Sequence, residues 1–139
     1  MTDTTTPERI AFVCVQNAGR SQMARAFAER ERDRRGLDVE LLTGGTHPAD
    51  HVHDEVIDAM AEVGIDLSDR TPRRITDDEL RACGYVATMG CSTLELGDVD
   101  TVVRDWALDD PDGEDPERVR EIRDEVERRI VALFDEVTE

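Results

Sequence analysis

The chain has 139 residues, enough for one hydrophobic core but not for two independent ones, so a single domain is expected. Thirty-four acidic side chains stand against seventeen basic ones, all seventeen of them Arg, for a formal charge of −17 and no Lys anywhere. That balance excludes nucleic acid and anionic membranes as partners, since both require clustered positive charge to displace counterions. The apolar 38 % falls into short runs and periodic stripes, which disfavours disorder and leaves a folded, very acidic protein.

No apolar run is long enough to span a membrane, and Met1 to Arg9 has no basic stretch followed by an apolar one, so a cytoplasmic location is expected. Cys14, Cys83 and Cys91 are an odd number without C-x-x-C spacing, which suits neither a disulfide framework nor a zinc site.

Residues 1–9 are polar and expected to be loose, with the domain running over 10–139. From Ile10 an apolar run of β type, Ile-Ala-Phe-Val-Cys-Val, ends in Gln-Asn-Ala-Gly and predicts a buried strand followed by a turn. A helix is predicted from Ser21, with Met23, Ala24, Phe27 and Ala28 on its apolar stripe, until Gly36 stops it. Val39 to Thr43 is a second strand closed by Gly44 and Gly45, and Asp54 to Val63 a helix with Val56, Ile57, Met60 and Ala61 inward. Thr76 to Glu79 has the pattern of a capping box, opening a short helix. Tyr85 to Met89 is the third strand and Asp100 to Arg104 the fourth. Asp115 followed by Pro116 opens the last helix, with Val119, Ile122, Val126, Ile130, Leu133 and Val137 on one face. This order predicts an α/β single domain, an open, mostly parallel four-stranded sheet with helices on both faces and a ligand at the carboxyl ends of its strands.

One segment carries chemistry. Cys14-Val15-Gln16-Asn17-Ala18-Gly19-Arg20-Ser21 follows the first strand and runs into the first helix. With three Cys and seventeen Arg, Cys-x5-Arg is expected about 0.4 times by chance, so spacing alone is weak. Context discriminates: this is a strand-to-helix turn, where backbone amides and the positive end of a helix dipole converge on a tetrahedral oxyanion. There Cys14 is favoured as a thiolate nucleophile, beside a helix N-terminus and a guanidinium. Arg20 offers a planar fork for two oxyanion oxygens. Asn17 and Gly19 permit the unusual backbone angles that turn amides inward, and the Ser21 hydroxyl is placed to hydrogen-bond the sulfur.

The chain from Ile10 onward resembles the low-molecular-weight protein tyrosine phosphatases and, within them, the arsenate reductases. Cys14 to Ala24 is similar to the family's phosphate loop and first helix. Thr43 to Asp50, Ala59 to Ser68 and Thr88 to Cys91 are similar to the reductase branch, and Asp105 to Gly113 to the loop that carries the general acid. The resemblance implies that Asp110, directly before Pro111, is the acid, with adjacent Asp109 the lesser candidate. A carboxylic acid across the pocket lets an oxygen depart as water or alcohol instead of hydroxide. To hold its proton there, Asp110 would need the thiolate, Asp109, Asp112 or burial to oppose its ionisation.

Both activities begin with thiolate attack on an oxyanion. A tyrosine phosphatase needs walls that grip an aromatic ring, and the family usually places an aromatic residue after the Asp-Pro; here that residue is Asp112. Phe12, Phe27 and Phe134 fall on core stripes, leaving Trp106 as the aromatic expected near the mouth. A small oxyanion, arsenate or phosphate, suits such a pocket. Cys91, just past the third strand, is the candidate resolving thiol. The thioredoxin-coupled branch places two further cysteines in this segment, but Ser92 to Asp98 holds no second one. Reduction by a small cytosolic thiol or a redoxin, or a direct Cys14–Cys91 disulfide, is therefore expected, with no bound cofactor.

Cys83 is read as a core residue. Arg25 stands where some reductases carry an acid that helps hold potassium, so that ion is not carried over, and His47, His51 and His53 are read as a polar loop near the pocket, so no metal is expected. Arg30 to Arg35 and the pairs Asp124 with Arg128 and Glu125 with Arg129 are read as solvated faces. Three functions stay open: an arsenate reductase, a tyrosine phosphatase using the same residues without Cys91, and a catalytically weak binding module that kept the loop. The oligomeric state has no signal in the sequence. A field of −17 slows an anionic substrate in dilute buffer but is screened within about 3 Å in molar salt, which predicts a salt-rich cytoplasm, that of a halophile.

Overall fold

The computed structural model describes residues 9–89, 102–106, 108, 111 and 113–137. Its elements are β1 (Arg9–Cys14), α1 (Arg20–Arg35), β2 (Glu40–Gly45), α2 (Asp54–Ala61), α3 (Asp77–Arg81), β3 (Tyr85–Met89), β4 (Val102–Asp105) and α4 (Pro116–Val137). All strand pairs are parallel, in the order β2-β1-β3-β4.

β1 is central because Ile10 to Cys14 are buried on both faces, which a continuous apolar run permits and an alternating one does not. Ile10, Phe12 and Cys14 face the larger core, formed with α1 and α4, while Ala11 and Val13 face a smaller one containing Ile75, Leu80, Cys83 and Val86. Truncating Phe12, which has no exposed surface, to Ala would cost about 3–5 kcal/mol. The strand order reverses at β1, so a crevice opens at its carboxyl end, where such sheets bind ligands.

Helix boundaries follow local chemistry. Gly36 stops α1 in the left-handed conformation, φ 68°, donating to the carbonyl of Asp33. Thr76 and Glu79 form the predicted capping box of α3, and Asp115 caps α4 by accepting the Arg118 amide at 2.9 Å.

Several expectations are corrected. Arg9, assigned to the loose N-terminal segment, is the first residue of β1 and pairs with Glu40 at 2.8 Å. Gly44 and Gly45 belong to β2, which runs on because residues 73–75 pair with its end. α2 stops at Ala61, which is exposed; Ala59 is buried with Val56 and Met60, so the stripe runs i, i+3, i+4. β4 extends one residue later than expected, to Asp105, and it is an edge strand with Val102 and Val103 exposed.

The Arg-rich end of α1 is not merely solvated. Arg30 pairs with Glu127 and lies 4.9 Å over the Phe27 ring, and Arg35 reaches Asp135 at 2.9 Å, so these arginines tie α1 to α4. Glu31 is buried between Arg34 and Arg35. On α4, Glu125 pairs with Arg129 as expected, but Asp124 accepts from Arg123 rather than Arg128. Among the described residues no helix is long and apolar enough to cross a membrane.

Candidate active site

The loop from Cys14 to Arg20 wraps a cavity of about 330 Å³, lined by Cys14, Val15, Gln16, Ala18, Gly19, Arg20 and His53. Its shape is set from outside. The carbonyls of Cys14, Val15, Gln16 and Ala18 accept from the amides of Thr46, His47, Ala49 and His53 at 2.8–3.3 Å. That of Asn17 accepts from Gln22 Nε2 at 3.0 Å. A planar trans peptide points its N–H opposite to its C=O. With five successive carbonyls turned outward and satisfied, the following amides turn into the cavity, where they form an anion cradle at the start of α1.

Two small residues make the wrap possible. A Cβ on Gly45 would lie 2.5 Å from the Val15 carbonyl oxygen, so only glycine lets β2 pass the loop so closely. Asn17 takes φ 52°, the left-handed region that Asn tolerates. Gly19 takes φ −142° and ψ −92°, outside both the helical and the extended regions as expected, and it is also a point of contact, since a Cβ would lie 3.0 Å from Pro111 Cγ.

Cys14 is buried with its sulfur between two donors. The Asn17 amide donates to it at 3.2 Å, and Ser21 Oγ lies 2.8 Å away. Asn17 Nδ2 donates to Ser21 Oγ at 2.7 Å, so the hydroxyl accepts there and turns its own hydrogen toward the sulfur. A thiolate, which can only accept, makes Ser21 the donor. Arg20 is buried, and its Nη1 donates to the Leu108 carbonyl at 2.9 Å. The guanidinium that lines the cavity thereby also holds the segment after β4.

Sequence reasoning missed the layer behind these residues. Thr43 Oγ1 accepts from Asn17 Nδ2 at 2.9 Å and donates to the Phe12 carbonyl at 3.0 Å. Asn17 Oδ1 accepts from Gln22 Nε2 at 3.1 Å and from the Arg73 amide at 3.0 Å. Gln22 had a visible signal, a polar residue within the buried turn that opens a helix; Arg73, 56 positions from Asn17, had none. His53 lines the cavity with its Nε2 3.0 Å from Gln16 Oε1, which places one residue of the predicted polar loop at the mouth.

Trp106 is corrected. It is buried and packs on Phe12 with ring centroids 6.1 Å apart, because the chain leaving β4 is held by the Trp106 amide on the Thr88 carbonyl at 2.7 Å. All five aromatic residues, Phe12, Phe27, Tyr85, Trp106 and Phe134, are thus in the core, none above 6 % exposed. Cys83 is a core thiol on the opposite face, where burial pushes its pKa up to about 11. Asp109, Asp110, Asp112 and Cys91 lie outside the described residues. No cluster of three or more metal-ligating side chains occurs among the described residues.

A buried thiol, an inward ring of amides and a planar guanidinium stand together at the crevice of a parallel sheet, a setting suited to tetrahedral oxyanions. The family follows: the model of the low molecular weight phosphotyrosine protein phosphatases matches residues 9–139, and the chain belongs to that family. It is 69 % identical over 137 residues to a Halobacterium salinarum protein named "Putative arsenate reductase", covering 96 % of this chain and 94 % of that one. It is 32 % identical to the glutaredoxin arsenate reductase of Synechocystis, covering 94 % and 99 %. The thioredoxin-dependent arsenate reductase of Corynebacterium glutamicum superposes with a TM-score of 0.77 at 35 % identity, over 96 % of this chain and 63 % of that one.

Proposed function

We propose that this protein reduces arsenate to arsenite with Cys14 as the nucleophile. The observation that carries this reading is the pairing of an amide-lined oxyanion cradle with the burial of every Phe, Tyr and Trp in the chain. A small tetrahedral anion is recognised fully by such a pocket; the ring of a phosphotyrosine finds no aromatic wall.

In the first step the Cys14 thiolate attacks arsenic, an S–As bond forms, and one arsenate oxygen leaves as water. Asp110 supplies the proton, the inward amides and Arg20 hold the remaining oxygens, and Ser21 and Asn17 orient the sulfur. In the second step another thiolate attacks Cys14 Sγ. The S–As electron pair passes to arsenic, which falls from As(V) to As(III) and departs as arsenite, while the two sulfurs remain as a disulfide. The second thiol is Cys91 or an external low-molecular-weight thiol or redoxin, and a further thiol regenerates Cys14. One relative is named a glutaredoxin arsenate reductase and another a thioredoxin-dependent one, which supports a reductant of that class. The charge of −17 and the Halobacterium relative support a salt-rich cytoplasm as the working environment.

The test compares purified protein given arsenate and a thiol with protein given an aryl phosphate. Arsenite formation that disappears in Cys14→Ser is the expected result. Aryl phosphate turnover without arsenite formation overturns the proposal in favour of a phosphatase, and oxyanion binding with neither turnover overturns it in favour of a binding module. Unchanged arsenite formation in Cys91→Ser removes Cys91 from the scheme and leaves the external thiol.

A further inference from the structure

Asn17 is fully buried and uses both amide hydrogens and two acceptor positions of its side chain, the full set that geometry allows. The two groups on Nδ2 include Ser21 Oγ, the donor to Cys14. The orientation of the Asn17 amide therefore decides where that hydroxyl points. One of its four anchors comes from a distant segment, the backbone N–H of Arg73.

Residues 73–75 lie as a strap beside the end of β2. The Gly45 amide donates to the Arg73 carbonyl at 2.8 Å, and the Ile75 amide to the Gly45 carbonyl at 3.4 Å. The Arg73 side chain folds back over this strap: Nη1 donates to the Thr43 carbonyl at 2.9 Å and Nη2 to Glu79 Oε2 at 2.6 Å. Glu79 divides its two oxygens, for Oε1 accepts the Thr76 amide at 2.9 Å and completes the capping box of α3. One guanidinium thus joins the helix cap, the end of β2 and the strap that anchors Asn17.

We infer that Arg73, held by Glu79, is a positioning residue for the nucleophile, fixing the strap so that Asn17 aims the Ser21 hydroxyl at the Cys14 sulfur. The inference rests on Cys14 being the nucleophile. The Arg73 side chain is 45 % exposed, so its ion pair contributes little to global stability. Its effect should be felt at the sulfur, in how fast Cys14 reacts, rather than in whether the chain folds or the cradle binds anions.

Alkylation of Cys14 by iodoacetamide, followed by peptide mass spectrometry in molar KCl at one fixed pH, reads this without any arsenate chemistry. Protection of Cys14 by inorganic phosphate in the same assay gives the anion affinity. In Arg73→Ala the Cys14 rate should fall about fourfold, the lower end of what a lost hydrogen bond at a charged sulfur takes once the gain in nucleophilicity is counted, with phosphate affinity and melting temperature unchanged. Arg73→Lys should recover part of the rate, since one ammonium reaches the Thr43 carbonyl or Glu79 but not both as a fork. Equal Cys14 rates in wild type and both variants overturn the inference. So does a loss in rate matched by an equal loss of phosphate affinity and of melting temperature, which marks a purely structural role. If Arg73→Ala does not fold, Arg73→Lys decides, and a wild-type rate there overturns the inference. Normal alkylation behaviour without arsenite formation would instead sink the proposed reaction and leave the positioning role intact.

Discussion

Replacing Ser21 with Ala removes one oxygen that serves two partners, so the cost divides into a stability part and a reactivity part. Asn17 Nδ2 loses its acceptor at 2.7 Å while staying buried, and an unsatisfied buried donor costs about 1–3 kcal/mol. The Cys14 sulfur loses the hydroxyl at 2.8 Å; a hydrogen bond to a charged group is worth about 1.5–3 kcal/mol, which is about 10- to 150-fold in the stabilisation of a charged sulfur. A less stabilised thiolate is also a stronger nucleophile, with a Brønsted slope of about 0.4–0.5, and this returns nearly half of the loss on a logarithmic scale. The net expectation is a fall of about 4- to 15-fold in Cys14 reactivity. Single-turnover arsenite formation and iodoacetamide alkylation of Cys14, both in molar KCl, measure it. Rates within twofold of wild type in a folded Ser21→Ala protein would refute the assignment of Ser21 as donor to the sulfur.

Gly45→Ala brings a Cβ to 2.5 Å from the Val15 carbonyl; forcing the two backbones apart should cost about 1–3 kcal/mol or more and weaken phosphate binding, read by urea melts and by phosphate protection of Cys14. Cys83, with its thiol pushed by burial to about 11, should stay unmodified by iodoacetamide at pH 8. Its folded value lies above the unfolded thiol near about 8.5, so the unfolded chain releases its proton first, and stability should fall as pH rises from there toward 11. Labelling of Cys83 in the folded protein at pH 8 as fast as in urea would contradict this. With a charge of −17, melting temperature and turnover of arsenate should both rise between about 0.1 M and molar KCl as the Debye length falls from about 10 to about 3 Å; a decline in both would refute the halophile reading.

The sheet was legible because its central strands announce themselves. Ile10 to Cys14 and Tyr85 to Met89 are short apolar runs between turn signals, and burial on two faces needs nothing subtler. The Cys-x5-Arg-Ser loop was legible because its chemistry lies within eight consecutive residues. Of the anchors behind it, Gln22 lies five residues from Asn17 and left a local trace, whereas Thr43 and Arg73 did not, because their hydrogen bonds to Asn17 form only when β1, β2 and the strap meet. Trp106 was misplaced for a related reason. Position in the chain put it near the mouth, whereas its ring was claimed by Phe12, a tertiary contact with no periodic trace. At Gly19 the unusual backbone was legible from the turn, but the approach of Pro111, 92 positions later in a different loop, was not.

The outward carbonyls of the loop have an evolutionary consequence. Four of the bonds that fasten Cys14, Val15, Gln16 and Ala18 to the segment 46–53 join main-chain atoms on both sides, so they are indifferent to which side chains stand at 15, 16 and 18, with the Gln16–His53 side-chain contact added to them. Mutation can therefore rewrite the floor of the pocket without collapsing the ring of amides. Substrate preference in such a scaffold is free to drift with its walls, while the part that grips four oxygens is inherited intact. The same fastening makes the motif a poor graft: eight residues moved alone into another protein would leave behind the segment that gives them their curvature.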